Sequence, residues 1–252
     1  MKKIRKPLLF TLCLLPVIVL GAYFVTLTGI DTLSPEMLEE AVRQVGSREL
    51  VIAASCLSPV MLALVSAFFG YILSARIGLM RPFRAERTKL YRTLVLSLLF
   101  GAVLSLDAWT FAKWIPQLEG AYASAGTFDV ALWLASILYG GVIEELMMRL
   151  FVMSLLAFLM WKCFRRNEKA VPTQILVIAN VLAAALFAAG HLPSTAASFG
   201  TLTPMLLIRC FLMNGAFGLL FGRLYRKYGI QYAMICHALL HVVSRTIWLI
   251  AF

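Results

Sequence analysis

The feature that most limits how this chain can fold is its set of long apolar runs. A bilayer core about 30 Å thick takes about 20 apolar residues of helix, and seven runs meet that length, roughly 8–30, 50–74, 93–115, 130–161, 172–192, 204–222 and 230–252. In lipid each run must satisfy its own backbone hydrogen bonds, so each is expected to be a helix. The chain is 62% hydrophobic and only 14% charged, against about 45–50% and about 25% in soluble domains. That balance excludes a soluble enzyme, a disordered chain and a coiled coil. It predicts an all-α polytopic membrane protein of about seven transmembrane helices, with residues 1–252 forming one integral membrane domain. The five cysteines are scattered without a C-x-x-C pair. They predict core packing rather than a disulfide framework or a zinc knuckle.

The connections alternate in charge. Segment 1–7 carries Lys2, Lys3, Arg5 and Lys6. Segment 75–92 carries Arg76, Arg81, Arg84, Arg87, Lys89 and Arg92 against Glu86. Segments 162–169 and 223–229 are also basic. The intervening loops are acidic or neutral: 31–49 holds five acidic residues against Arg43 and Arg48, and 192–203 holds no charge. By the positive-inside rule the N-terminus is cytoplasmic and the C-terminus outside. The net charge of +11 is then a matter of topology and of contact with membrane lipids, and predicts no nucleic-acid partner. The N-terminal run is read as a retained first helix, since it is long and lacks a clear small-x-small cleavage site. Segment 35–45 is expected to be a short amphipathic helix on the outer surface.

A charged residue at the centre of a membrane helix costs about 2.5–3.5 kcal/mol on the insertion scale. Lys113 and Arg209 lie near helix ends, where long side chains can snorkel. Asp107 and Arg245 fall in the outer halves of their helices and could pair with each other or with another buried group. The fourth run is different. Glu144, Glu145 and Arg149 fall within six positions at its middle. Glu145 and Arg149 are spaced i,i+4 with the acid first, the favourable order for an ion pair within a helix. Glu144 lies about 100° round the helix and has no such partner. Gly140 and Ser136, one and two turns before it, leave room for a helix, water or substrate.

The chain has three histidines, His191, His237 and His241, all in or at the end of late apolar runs. His237 and His241 share a helix face. Phe187, one turn before His191, is placed to pack on its ring, and Gly190 is expected to allow a close approach. A carboxylate with imidazoles in a partly dry cavity suits water activation: the carboxylate takes a proton, and imidazoles hold the water or donate to an oxyanion. Glu144, His191, His237 and His241 can equally bind a divalent metal such as zinc, and the sequence leaves both chemistries open. A proton- or metal-relaying transporter uses the same residue types, as does a membrane binding or immunity protein, in which Gly218-Leu-Leu-Phe-Gly222 would be a contact face. Counted along the runs, His191 lies about 20 residues from the basic end and His237 about 8, a depth gap of about 18 Å at 1.5 Å per residue. An early start of the fifth run before Pro172, or a strong tilt, would close it.

The three motifs together resemble the CPBP (Abi) family, which groups CAAX proteases with bacteriocin-processing enzymes. They read Glu144-Glu145-Leu-Met-Met-Arg149, then Phe187-Ala-Ala-Gly-His191, then His237-Ala-Leu-Leu-His241. The resemblance covers about 130–252, leaving 1–129 as N-terminal helices. It implies an intramembrane endopeptidase acting on peptides or on tails of membrane-associated proteins, as in CAAX processing or bacteriocin processing and self-immunity. Glu144 would activate water, His191 would position it, and His237 would support the water or the oxyanion. Glu145 and Arg149 would hold the site together. Family members often carry Asn where this chain has His241; a neutral His also donates a hydrogen bond, and it can ligate a metal. The short basic N-terminus and compact loops suggest a bacterial cytoplasmic membrane.

Overall fold

A computed structural model describes residues 2–118, 120–123 and 125–252, apart from the side chains of Lys2 and Lys3. The fold is all-helical. Its helices are α1 (Lys2–Ile30), α2 (Pro35–Val45), α3 (Arg48–Arg76), α4 (Arg87–Ser105), the short α5 (Phe111–Trp114) and α6 (Val130–Leu134). They are followed by α7 (Ser154–Phe164), α8 (Thr173–Gly190), α9 (Leu192–Phe199), α10 (Pro204–Cys210), α11 (Phe217–Tyr228) and α12 (Ile230–Ala251). Between α6 and α7 the chain stays helical but follows i→i+5 hydrogen bonding over Ala135–Glu144 and Leu146–Met153. A third π segment, Phe211–Ala216, joins α10 to α11. Among the described residues, six helices are long and apolar enough to cross a membrane. The remaining apolar run is the continuous helical stretch 130–164, whose middle carries the ionisable trio.

The basic segments gather at one end of the bundle. Arg81 donates to the Arg226 carbonyl at 3.2 Å, and Arg76 and Lys162 both stand over the Phe158 ring. The opposite end is aromatic: Trp109 stacks on Phe252, and Tyr122 packs on Trp248. The expected surface helix is α2. Ser34 caps its N-terminus, and Leu38, Ala41 and Val42 pack on Ile30, Val51 and Ile52.

One expectation about buried charge needs correction, and one open choice is decided. Asp107 pairs with Arg209, whose Nε donates to both carboxylate oxygens at 3.0 and 3.1 Å, so Arg209 does not snorkel. The Tyr122 hydroxyl also donates to Asp107. Arg245 instead donates from Nε to Ser136 Oγ at 2.9 Å. The sequence left Asp107 and Arg245 to pair with each other or with another buried group; the fold gives each another group, Arg209 for Asp107 and Ser136 for Arg245.

Glycines set the close contacts. A Cβ added to Gly141 would stand 2.5 Å from Ala238 Cβ and 2.9 Å from the Ala238 nitrogen, so α12 lies directly on the 130–164 stretch. Gly218 faces Ala184 and Arg149, and Gly222 faces the Asn180 amide. The Gly218–Gly222 face is therefore spent on packing inside the bundle. Gly190 has nothing within 4 Å of where its Cβ would be, so no close approach depends on it. Gly141→Ala is expected to lose about 1–3 kcal/mol of stability through overpacking, while Gly190→Ala unfolds with the wild type. Thermal unfolding of both variants in detergent checks the contrast.

Candidate functional site

The Gly140–Gly141 step lets two imidazoles reach the 130–164 stretch. A Cβ on Gly140 would lie 3.3 Å from His241 Nε2 and 3.9 Å from His237 Nε2. The adjacent carboxylates then part company. The Glu144 side chain is 16% exposed and lines a cavity of about 250 Å³, together with His191, His237 and His241. The Glu145 side chain is 0% exposed and turns away into the core.

Glu145 is the hub of a buried charge network. Its Oε1 stands 3.2 Å from Arg149 Nη1 and 2.9 Å from His237 Nδ1. The Arg149 guanidinium lies over the Phe187 ring at 4.5 Å and near the Phe221 ring at 5.3 Å. Neither of its terminal nitrogens has a hydrogen-bond partner among the described residues. Its charge is met by one carboxylate and two aromatic faces, a desolvated cation–π arrangement. The expected i,i+4 pair is present, with π-type hydrogen bonding on either side of Glu145.

The same network fixes proton positions. A carboxylate paired with arginine accepts hydrogen bonds, so His237 donates from Nδ1 and leaves a lone pair on Nε2. His241 Nε2 is 3.2 Å away and supplies the N–H of that contact. Phe221 stacks on the His237 ring at 4.2 Å. On the other wall, His191 Nδ1 lies 2.8 Å from the Phe187 carbonyl. A carbonyl can only accept, so Nδ1 carries the proton and Nε2 offers a lone pair to the cavity. Phe187 meets this ring edge-on, with centroids 4.6 Å apart, as its spacing predicted.

Glu144 faces both walls at a longer distance. Its Oε1 is 3.8 Å from His191 Nε2 and its Oε2 is 3.9 Å from His237 Nε2. These gaps are too long for direct hydrogen bonds and suit a bridging water.

The depth gap closes by two local devices. The α8 helix begins after Pro172, not before it. At its other end His191 is the C-cap, and its ring folds back one turn to Phe187. Meanwhile α12 begins inside the protein, with Ile230 and Tyr232 buried. Tyr232 donates to the Arg84 carbonyl and accepts from the Glu86 N–H, so segment 77–86 lies across the helix start. His237 therefore sits deeper than a residue count from the basic end suggests.

Among the described residues, no three or more His, Cys, Asp or Glu side chains form a group that could hold a metal ion. Zinc would need its ligand atoms at about 2.0–2.3 Å from one point. The donors reach one cavity without being gathered into such a shell.

Sequence reasoning missed several cavity residues. Asn214, on the π segment, lines the cavity and donates to the Cys210 carbonyl at 3.0 Å. Its signal was an amide inside an apolar run, a common sign of polar contact within a membrane bundle. Phe221 and Phe217 carried no signal, because an aromatic in an apolar run reads as core.

Removing Arg149 leaves Glu145 as an uncompensated buried charge, so Arg149→Met should cost about 3–5 kcal/mol. Glu145→Gln with Arg149→Met removes both charges and should recover a large part of that loss. Unfolding curves for the single and double variants measure the coupling.

Residues 126–243 match the family model described as type II CAAX prenyl endopeptidase Rce1-like. No curated protein and no solved structure gives a significant match. The matched segment contains all three motifs, so the similarity to the CAAX-protease (CPBP) family spans the part of the chain that carries them.

Proposed function

We propose that this multi-pass membrane protein is an endopeptidase that hydrolyses peptide bonds with water activated by Glu144. The family match supports an intramembrane CAAX-protease type of function. The observation that carries the mechanism is the pair of gaps from Glu144 to His191 Nε2 and His237 Nε2.

A water between Glu144 and His191 donates one hydrogen to the carboxylate and the other to the lone pair of His191 Nε2. Both acceptors raise electron density on its oxygen. Attack on the peptide carbonyl transfers a proton from the water to Glu144, which is then placed to give it to the departing amine. The tetrahedral oxyanion needs a donor. His241 brings the N–H nearest the cavity; turned from its resting contact with His237 Nε2 onto the oxyanion, it fills the donor role that family members often give to Asn. His237 positions His241 and is itself held by Glu145. Glu145 and Arg149 stay out of the reaction and fix the ring geometry, with Phe187 and Phe221 bracketing the arginine. No step in this sequence needs a metal.

The substrates fitting this reading are peptides or segments of membrane-associated proteins. Glu144→Gln keeps the shape and removes the base; His191→Ala removes the water's second acceptor. Both should lower cleavage by at least the 10²–10⁴-fold typical of general acid–base catalysis, with membrane insertion unchanged. Terminal-peptide comparison of membranes from wild-type and Glu144→Gln cells at matched protein levels checks this. Termini that vanish in the variant name the substrate and cut site together. Identical termini with a well-folded variant would favour a transport or binding role for the buried carboxylate.

A further inference from the structure

We infer that the cavity takes its substrate from the non-cytoplasmic face, so its substrates are exported peptides or outward-facing segments of membrane-anchored proteins. This rests on the reading of the cavity as the proteolytic site, and adds which side of the membrane feeds it.

Two independent observations carry the inference. The first is the seal at the basic end. Segment 77–86 is bonded across the junction of α11 and α12: Arg81 to the Arg226 carbonyl, Gln231 to the Pro82 carbonyl, and Tyr232 to the Arg84 carbonyl and the Glu86 N–H. Ile77 and Leu79 of this segment are buried, as is Ile230 at the start of α12. Deeper on the same side, Tyr225 bonds Ser74 and Ser154, each at 2.7 Å, filling the space between α3, α7 and α11. A peptide arriving from the basic end would have to break both layers.

The second observation is the position of the cavity mouth. Thr28 is within the last turn of α1, Leu104 within the last turn of α4, and Leu132 and Ser136 within the first two turns of the 130–164 stretch. All four lie at the end remote from the basic segments. Thr28, Leu132 and Ser136 are partly exposed. His237 and Phe221 form the floor. Beside the mouth, Arg245 holds Ser136 and lines a second pocket with Asp129 and Tyr122. Such polar groups favour water over lipid at the entrance.

Charge then assigns the two ends. Segments 1–7, 76–92, 162–169 and 223–227 are basic, and the positive-inside rule places them in the cytoplasm. The sealed end is thus cytoplasmic and the mouth faces outward. A cytosolic C-terminal tail does not fit that geometry, since it would meet the sealed end.

Thr28→Cys and Leu132→Cys test the inference with a membrane-impermeant maleimide applied to intact cells. Native Cys163, exposed at the basic end, is the internal control. The expected result is labelling of both introduced cysteines from outside, with Cys163 labelled only after permeabilisation. Labelling of Cys163 in intact cells, or protection of both introduced cysteines until permeabilisation, overturns the inference. Cleavage is followed on the same cells. If outside labelling of Thr28→Cys stops cleavage, substrate entry by this mouth is supported. If the cysteine is labelled and cleavage persists, entry through the mouth is overturned. Loss of cleavage on Glu144→Gln is read separately, so failure of the protease reading does not alter the labelling result.

Discussion

The burial of Glu145 is the constraint on which the rest of the site depends. An ionised carboxylate in a membrane bundle needs a partner, and it has two on one oxygen: Arg149 at 3.2 Å and His237 at 2.9 Å. Arg149 then needs more than one carboxylate, and the faces of Phe187 and Phe221 supply the rest. Phe187 in turn receives the His191 ring, by its carbonyl and by its own edge. One buried charge thus orients side chains from three separate helical segments. The cavity-facing Glu144 is left free of that network, which is what a proton-accepting role asks of it.

Backbone form makes the crowding tolerable. Hydrogen bonding of the i→i+5 type often marks functional sites in helices, and here it spans most of the stretch carrying Glu144, Glu145 and Arg149. The Gly140–Gly141 pair then brings α12 close enough for its histidines to face both carboxylates. A side chain at Gly141 would collide with α12 backbone atoms and separate the two walls. The glycines and the charges form one design: the first permits the contact, and the second sets its register.

Much of this was legible in the sequence, for reasons that can be named. Apolar run length gave the helices because lipid leaves the backbone no other choice. The i,i+4 spacing gave the Glu145–Arg149 pair, and the spacing of Phe187 and His191 gave their contact. What the sequence did not carry was anything set by which helices become neighbours. The Asp107–Arg209 pair needed α10 beside Asp107, and the closing of the depth gap needed α12 to begin beneath segment 77–86. Gly190 was misread because a small residue before a histidine is no evidence of a close neighbour. Phe221 was invisible because its stacking on His237 depends on the packing of α11 against α12.

The most direct test of the division of labour between the adjacent carboxylates is the unfolding temperature of Glu144→Gln beside that of Glu145→Gln, purified in the same detergent. Glu144 lines a cavity and holds nothing in place, so its variant should unfold close to the wild type. Glu145→Gln leaves the Arg149 charge uncompensated in the core and should unfold at a clearly lower temperature. The reverse order, with Glu144→Gln the less stable protein, would contradict the assignment of one glutamate to the water and the other to the frame.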